Sequence, residues 1–293
     1  MMTDLEKQRL LVETISAACP DLQIRSARLQ AHDGEFNDIV VVNDEMIFRF
    51  PRRSETIPAF LREMKLLSKL QPVLPLPVPN PIFHGGQTTE LGKVFMGYAR
   101  IPGRPLDVEA LETHADEALL ATMAGQLAGF LEALHWLGPA STGLDLPQMN
   151  MPAWTRTFFE EVRKNLFFYM REEACKGVSD TFEAYFGQEH LHAYQPCLVH
   201  GDFGGSNILY DGHGISGVLD FTGACYSDPA LDMASVSTYS EAFFARICEF
   251  YRMDDSMCER AKFYRSLFGL EEAMYGWRSG DEEAFSRGME QYI

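Results

Sequence analysis

"LVHGDFGGSNILYDGHGISGVLDF" (residues 198–221) sets His200, Asp202 and Asn207 between an apolar lead-in and an apolar run. These residues are too polar for a core and too tightly framed by apolar neighbours for an ordinary surface loop. The second half, "NILYDGHGISGVLDF", reads as a short β-ribbon folded about Gly212–His213. Folded there, Asp211 falls opposite Ile215 or Gly214, Asn207 comes near Val218, and Asp220 follows about two residues later. Diagonal neighbours in such a pair lie within roughly 8 Å. Asp202, Asn207 and Asp220 are therefore expected to converge. Two carboxylates and an amide oxygen form a hard-oxygen donor set, which suits Mg²⁺ better than zinc.

Outward from the ribbon, the chain changes character near residue 100. Before it, "FNDIVVV" and "MIFRF" are β-type runs joined by Asn43–Asp44, a hairpin turn signal, and "KVFMGYARI" is a third run ended by Pro102–Gly103. "SETIPAFLREMKLLSKL" between them is a helix, with a polar start and Pro58 near its first turn. The proline-rich stretch "QPVLPLPVPNP" (71–81) reads as an extended connection. After residue 107 the spacing turns helical, in "ATMAGQLAGFLEALHWL", "AWTRTFFEEVRKNLFFYMREEA", "SEAFFARICEFYRM" and "AKFYRSLFGLEEAMYGW". The expected fold is α+β and two-lobed. A small N-terminal lobe (1–100) carries an antiparallel sheet and one main helix, and a larger, mostly helical lobe (101–293) follows.

Bulk properties bound the function. The chain has 293 residues with 46% apolar content, enough for a substantial core in each lobe. No run approaches the ~18 apolar residues of a membrane helix. The start, "MMTDLEKQRL", has no apolar signal core. The cysteines (Cys19, Cys175, Cys197, Cys225, Cys248, Cys258) form no C-x-x-C pair and no metal spacing, as expected of reduced thiols in a cytoplasmic protein. A net charge of −17 argues against nucleic acid and anionic membranes as partners. It favours solubility and a cationic small-molecule ligand.

The pattern Asp-x-x-x-x-Asn followed by Asp-Phe is the arrangement of protein-kinase-like phosphotransferases. With "HGDFGGSNILYDGHGISGVLDFTGACYSDPALDMA", the chain resembles the aminoglycoside phosphotransferase family of antibiotic kinases. "IFRFP", "MGYARIPGRPL" and "LEEAMYG" bring it closest to the 2″-aminoglycoside kinases. The resemblance runs from about residue 25 to the C-terminus and implies a two-lobed protein-kinase-like fold. It implies that Asp202 takes the proton of the attacking hydroxyl, that Asn207 and Asp220 hold magnesium, and that His200 is a structural brace. Asp228, preceding Pro229, reads as a helix N-cap; it and Asp232 are taken as structural.

The helix at 58–70 gives a separate clue. Arg62, Lys65 and Lys69 share one side, whereas Glu63 falls between Leu67 and Leu70 in the apolar arc. A buried carboxylate is costly unless paired. The kinase pattern supplies a strand cation for it, and Arg49 stands where the family commonly has Lys. "HDGEFND" (32–38), with Gly34, would be the loop over the phosphates. Asn37 is a candidate triphosphate contact, a plain turn role being its alternative. The nucleotide base is expected near Phe95 to Arg100, with Met96 and Tyr98 as candidate contacts; ATP and GTP both remain open. Gly223 departs from the acidic residue common in relatives.

The expected function is transfer of the γ-phosphoryl group of ATP or GTP to a hydroxyl of an aminoglycoside by a monomeric, Mg²⁺-dependent cytoplasmic enzyme. The alternative keeps the chemistry and changes the acceptor to a macrolide, a choline-like molecule or a sugar amine. A phosphohydrolase is disfavoured by the lack of a second His/Asp cluster upstream. A non-catalytic nucleotide binder is disfavoured by the presence of Asp202, Asn207 and Asp220 together. A polycationic acceptor needs further carboxylates. The resemblance to the 2″-kinases points to Glu271, with Glu241 and Glu272 as further candidates. Tyr275 and Trp277 are candidate apolar rests for a sugar ring.

Overall fold

In the computed structural model, residues 3–30, 36–85 and 88–293 are described. The chain begins with α1 (Asp4–Ala18), β1 (Ala27–Gln30), β2 (Asn37–Val42), β3 (Met46–Pro51) and α2 (Ile57–Leu70). β4 (Phe83–His84), β5 (Met96–Ala99), β6 (Arg104–Pro105), α3 (Val108–His114), α4 (Glu117–His135) and α5 (Pro139–Thr142) follow. Next come α6 (Met151–Asn165), α7 (Glu172–Phe186), β7 (Cys197–Val199), β8 (Ile208–Tyr210), β9 (Ile215–Val218) and β10 (Cys225–Ser227). The chain closes with α8 (Ala230–Val236), α9 (Glu241–Phe250), α10 (Asp255–Ser279) and α11 (Glu282–Met289). Two compact units result: Met1–Leu106 with Gly205–Gly223, and Asp107–Gly204 with Ala224–Ile293.

The first unit is built on an antiparallel sheet of five strands in the order β1-β2-β3-β5-β4. Asn43 and Asp44 both take positive φ (56° and 57°), as the tight β2–β3 hairpin requires. On one face Val40, Val42, Phe48, Phe50 and Phe95 pack against Leu11 and Ile15 of α1 and Cys19, which caps its end. Sequence reading missed α1: it buries only Leu11 and Ile15, so its apolar stripe is thin. A capping box between Thr3 and Glu6 starts it. Beside the expected helix α2, the small lobe carries α1.

The ribbon that opens the sequence argument groups with this first unit, not with the helices around it in the chain, so a single boundary near residue 100 does not describe the grouping. β8 pairs with both β9 and β6. The Val218 N–H donates to the Pro77 carbonyl at 2.9 Å, so the proline-rich stretch serves as the ribbon's neighbour. Gly217 is needed there: a Cβ would lie 2.7 Å from Ile101 and 2.9 Å from the Pro77 oxygen. The expected register is off by one at its outer end, because a bulge places Ser216 as an extra residue between the pairs Tyr210–Ile215 and Leu209–Gly217. Asn207 consequently faces Leu219, whose N–H it accepts at 2.7 Å.

The second unit is helical apart from the β7–β10 pair. Residues 153–174, read as one helix, are two. α6 ends at Asn165, a short 3-10 turn covers Phe167–Tyr169, and Arg171 turns extended (ψ 156°) before α7. Phe159, Phe182 and Phe186 on the two helices pack against one another, which two helices folded back can do and one straight helix cannot.

Candidate functional site

In the first unit, Arg49 on β3 and Glu63 on α2 meet with Nη1 2.8 Å from Oε1. Both side chains are buried, at 6% and 0% exposure, so the carboxylate that the wheel placed in an apolar arc has its cation. Burial alone would lower the Arg49 guanidinium; the charges of Glu63, Tyr98 and Asp220, with the hydrogen bond to Glu63, together outweigh it and hold it above its ordinary value. Nη2 of the same fork lies 3.5 Å from Asp220 Oδ1. Glu63 also accepts from the Phe221 N–H at 3.2 Å, and its Oε2 lies 3.0 Å from the Thr222 hydroxyl. Thr222 Oγ1 is 2.6 Å from Asp220 Oδ1 as well, so its single proton serves one carboxylate at a time. Glu63 thereby fixes the chain on the C-terminal side of Asp220 through two donors, the Phe221 N–H and the Thr222 hydroxyl.

Asp220 takes φ +58°, a conformation an L-residue adopts at a cost, and its side chain stays 41% exposed. The Asn207 carbonyl and Leu219 N–H are bonded, so Asn207 and Asp220 stand together at the open end of the ribbon. Tyr98 on β5 lies opposite Ile47, and burial pushes its phenol up to about 12. Met96 is buried opposite Arg49. Asn37 begins β2, opposite Pro51, half-buried. Of the expected phosphate loop, residues 32–35, Gly34 included, lie outside the described residues.

In the second unit, Asp202 is exposed and its N–H donates to His200 Nδ1 at 3.3 Å. His200 is fully buried with its ring edge-on to Phe203. Asp232 on α8 holds this loop from behind. Its carboxylate accepts the N–H groups of His200 and Gly201 at 2.8 and 2.9 Å, and lies 3.0 Å from His135 Nε2. Burial would raise Asp232; the His135 bond and the backbone donors outweigh it and hold the carboxyl below its ordinary value. Asp228, expected as a helix cap, does accept from Ala230 N–H at 3.0 Å. It is also fully buried in an ion pair with Arg260 (2.6 Å) and a bond from Tyr264 (2.9 Å), which the local reading of Asp-Pro could not show.

The candidate acceptor residues separate. Glu271 sits on α10, partly buried, with no hydrogen bond or ion pair to a described residue, and desolvation pushes it up to about 7. Glu272 is turned to Arg287 of α11 at 2.8 Å. Tyr275 is half-buried one turn later, and Trp277 is 44% exposed. Glu241 is exposed in the first turn of α9, capped by Ser240. The structure groups Glu271, Glu272 and Tyr275 on one helix and leaves Glu241 on another. Sequence reasoning missed Thr222 as a partner of Asp220; the Asp220 carboxylate accepts the Thr222 N–H at 3.3 Å, an Asx-turn whose only local signal is the Asp itself. It also missed His135, which carries no local signal, being 97 residues from Asp232.

The chain matches the model of the phosphotransferase enzyme family over residues 29–264. Viomycin phosphotransferase of Streptomyces vinaceus is 28% identical over 273 residues, spanning 90% of this chain and 92% of that protein. The GDP and kanamycin complex of an APH(2″) enzyme shares the fold with a TM-score of 0.86, at 22% identity over 96% of both chains. A macrolide 2′-phosphotransferase of Brachybacterium faecium gives 0.73 at 20% identity over 97% of both. At these identities the likeness to the solved structures establishes the kinase-like fold.

Proposed function

Because this chain belongs to the phosphotransferase enzyme family, we propose that it is a Mg²⁺-dependent kinase transferring the γ-phosphoryl group of ATP or GTP to a hydroxyl of an aminoglycoside. The observation that carries the reading is the buried Arg49–Glu63 pair with its second arm on Asp220. A strand cation tied to a helix carboxylate, next to the acid that follows the ribbon, is the device by which kinases order the phosphates.

Asp220 and Asn207 offer hard oxygens at the ribbon's open end, and Asp220 is exposed enough to reach an ion, so the donor set fits Mg²⁺. Mg²⁺ bound there would neutralise phosphate charge during transfer. Arg49 steadies Asp220 and adds positive charge; Tyr98 and Met96 line the sheet face beside it, and Asn37 is a contact for the triphosphate. The Asp202 carboxylate orients the acceptor hydroxyl and takes its proton as the new O–P bond forms and the bond to the leaving diphosphate breaks. His200 braces that loop.

Glu271 is the favoured acceptor contact, since a desolvated carboxylate without a cation of its own is suited to an ammonium group. Glu241, Glu272 and Tyr275 are secondary. The enzyme is proposed to act as a cytoplasmic monomer; no helix among the described residues is long and apolar enough to cross a membrane. A second reading has viomycin as the acceptor, favoured by the 28% identity to viomycin phosphotransferase over nearly its whole length. A panel of aminoglycosides, viomycin, macrolides and amino alcohols, each with ATP and with GTP, decides. Fastest turnover with an aminoglycoside supports the first reading. Turnover confined to viomycin or a neutral macrolide replaces it, and transfer to none of them removes both.

A further inference from the structure

Two glycines, Gly204 and Gly205, follow Asp202 and Phe203, so the backbone beside the proposed base has little stiffness of its own. Its order comes from anchors. Upstream, the Asp232 carboxylate holds the N–H groups of His200 and Gly201. Downstream, the Tyr239 hydroxyl donates to the Phe203 carbonyl at 3.1 Å. The Phe203 ring is fully buried and stacks on Phe130 with centroids 5.7 Å apart at 18°.

Tyr239 is itself well placed for this. Its N–H is bonded to the Val236 carbonyl in the turn closing α8, the helix that carries Asp232. Ser240, the next residue, caps α9 and is bonded to Glu112. One short segment, 232–239, therefore grips the loop on both sides of Asp202, by two N–H groups before it and one carbonyl after it. Burial and the charges of Asp202 and Asp232 drive the Tyr239 phenol upward, so it stays a donor.

We infer that Tyr239 is a positioning residue for phosphoryl transfer, whose hydroxyl fixes the peptide following Asp202 and so aims the Asp202 carboxylate at the acceptor hydroxyl. The inference rests on the proposed role of Asp202. A small displacement of a reacting group can cost up to about a hundredfold in rate without weakening substrate binding. The segment's other grip, Asp232, cannot replace the lost contact, because it acts on the opposite side of Asp202.

The test is Tyr239→Phe, which deletes one oxygen and keeps the ring. With an acceptor that turns over in the panel, kcat should fall about tenfold while both KM values stay within about twofold. Hydrogen exchange of peptides covering residues 203–207 should quicken, with the rest of the unit unchanged. In an Asp202→Asn background the substitution should lower kcat no further, because it acts through Asp202. Unchanged kcat with a lowered melting temperature would make the bond merely structural and overturn the inference. Equal losses in kcat from both backgrounds, or unchanged exchange at 203–207, would also overturn it. Should Asp202→Asn itself retain turnover, the proposed function loses its base and this inference falls with it. A failure at Tyr239 alone leaves that function standing.

Discussion

Glu271, the proposed acceptor contact, is the residue on which stability and acceptor recognition would pull in opposite directions. Desolvation raises its carboxyl from 4.5 to about 7. Below pH 4.5 folded and unfolded chains both hold the proton, and the residue costs nothing. Between 4.5 and 7 the unfolded chain releases it while the folded chain keeps it, so stability falls as pH rises. Above 7 the full cost is present. At about 1.36 kcal/mol per pH unit, that interval is worth about 3 kcal/mol at most. Glu271→Gln carries no charge at any pH and should be more stable than the parent at pH 8 by up to that amount. With an unfolding entropy of about 2.1 cal/mol/K per residue, this corresponds to roughly 5 °C in melting temperature. The gap should close as pH falls to 5. Melting curves of both proteins between pH 5 and 8.5 measure it. The second arm is kinetic: the parent's KM for a cationic acceptor should drop as pH rises through 7, and the Gln variant should show a higher KM without that drop. A gap in melting temperature that does not change with pH, or a Gln variant less stable at pH 8, would refute the desolvated, unpaired carboxylate.

Asp202→Asn should leave the melting temperature and nucleotide affinity nearly unchanged and cut kcat by about 10²-fold or more; near-parental turnover would remove Asp202 as base. Asn207→Ala and Asp220→Ala should each shift the Mg²⁺ titration of activity to higher concentration, Asp220 the further, and superimposable curves would break the proposed metal site. Arg49→Ala should cost about 3–5 kcal/mol of stability by stranding Glu63 among apolar neighbours, with activity lost too. Arg49→Lys should recover part of both, and a double-mutant cycle with Glu63→Gln showing no coupling would contradict the pair.

What the sequence made legible was local in chain distance or strongly patterned. The β2–β3 hairpin carried its own turn residues, and α2 declared one charged residue on the wrong face, which turned out to be Glu63 bonded to Arg49. The ribbon was visible because Gly212 and its neighbours punctuate two apolar runs. Its register slipped by one because a bulge at Ser216 leaves no mark in an alternation only four residues long. α1 was missed because its exposed face dominates its composition, and the break between α6 and α7 because aromatic residues continue across it at helical spacing. Asp232, His135 and Tyr251 form one chain of contacts, His135 lying 2.8 Å from the Tyr251 hydroxyl, yet they come from three distant segments. No periodicity within a window of ordinary length can join them.

The arginine at position 49 has a physical consequence that a lysine would not share. An ammonium group is a compact charge that can sit against one carboxylate at full strength; a guanidinium presents two donor ends in a fixed plane. Here one end is spent on Glu63 at 2.8 Å and the other reaches toward Asp220 at 3.5 Å, a longer and weaker approach. Asp220 also accepts from the Thr222 hydroxyl and is followed by the Phe221 N–H bonded to Glu63, with Arg49 acting on it from a distance. Arg49, Glu63 and Asp220 together carry one net negative charge, concentrated on the one member that is exposed. That excess would make the end of the ribbon attractive to a divalent cation, whereas the buried Arg49–Glu63 couple carries no net charge. The fork therefore joins a structural pair to the carboxylate proposed to face the metal, without cancelling the charge that such a role needs.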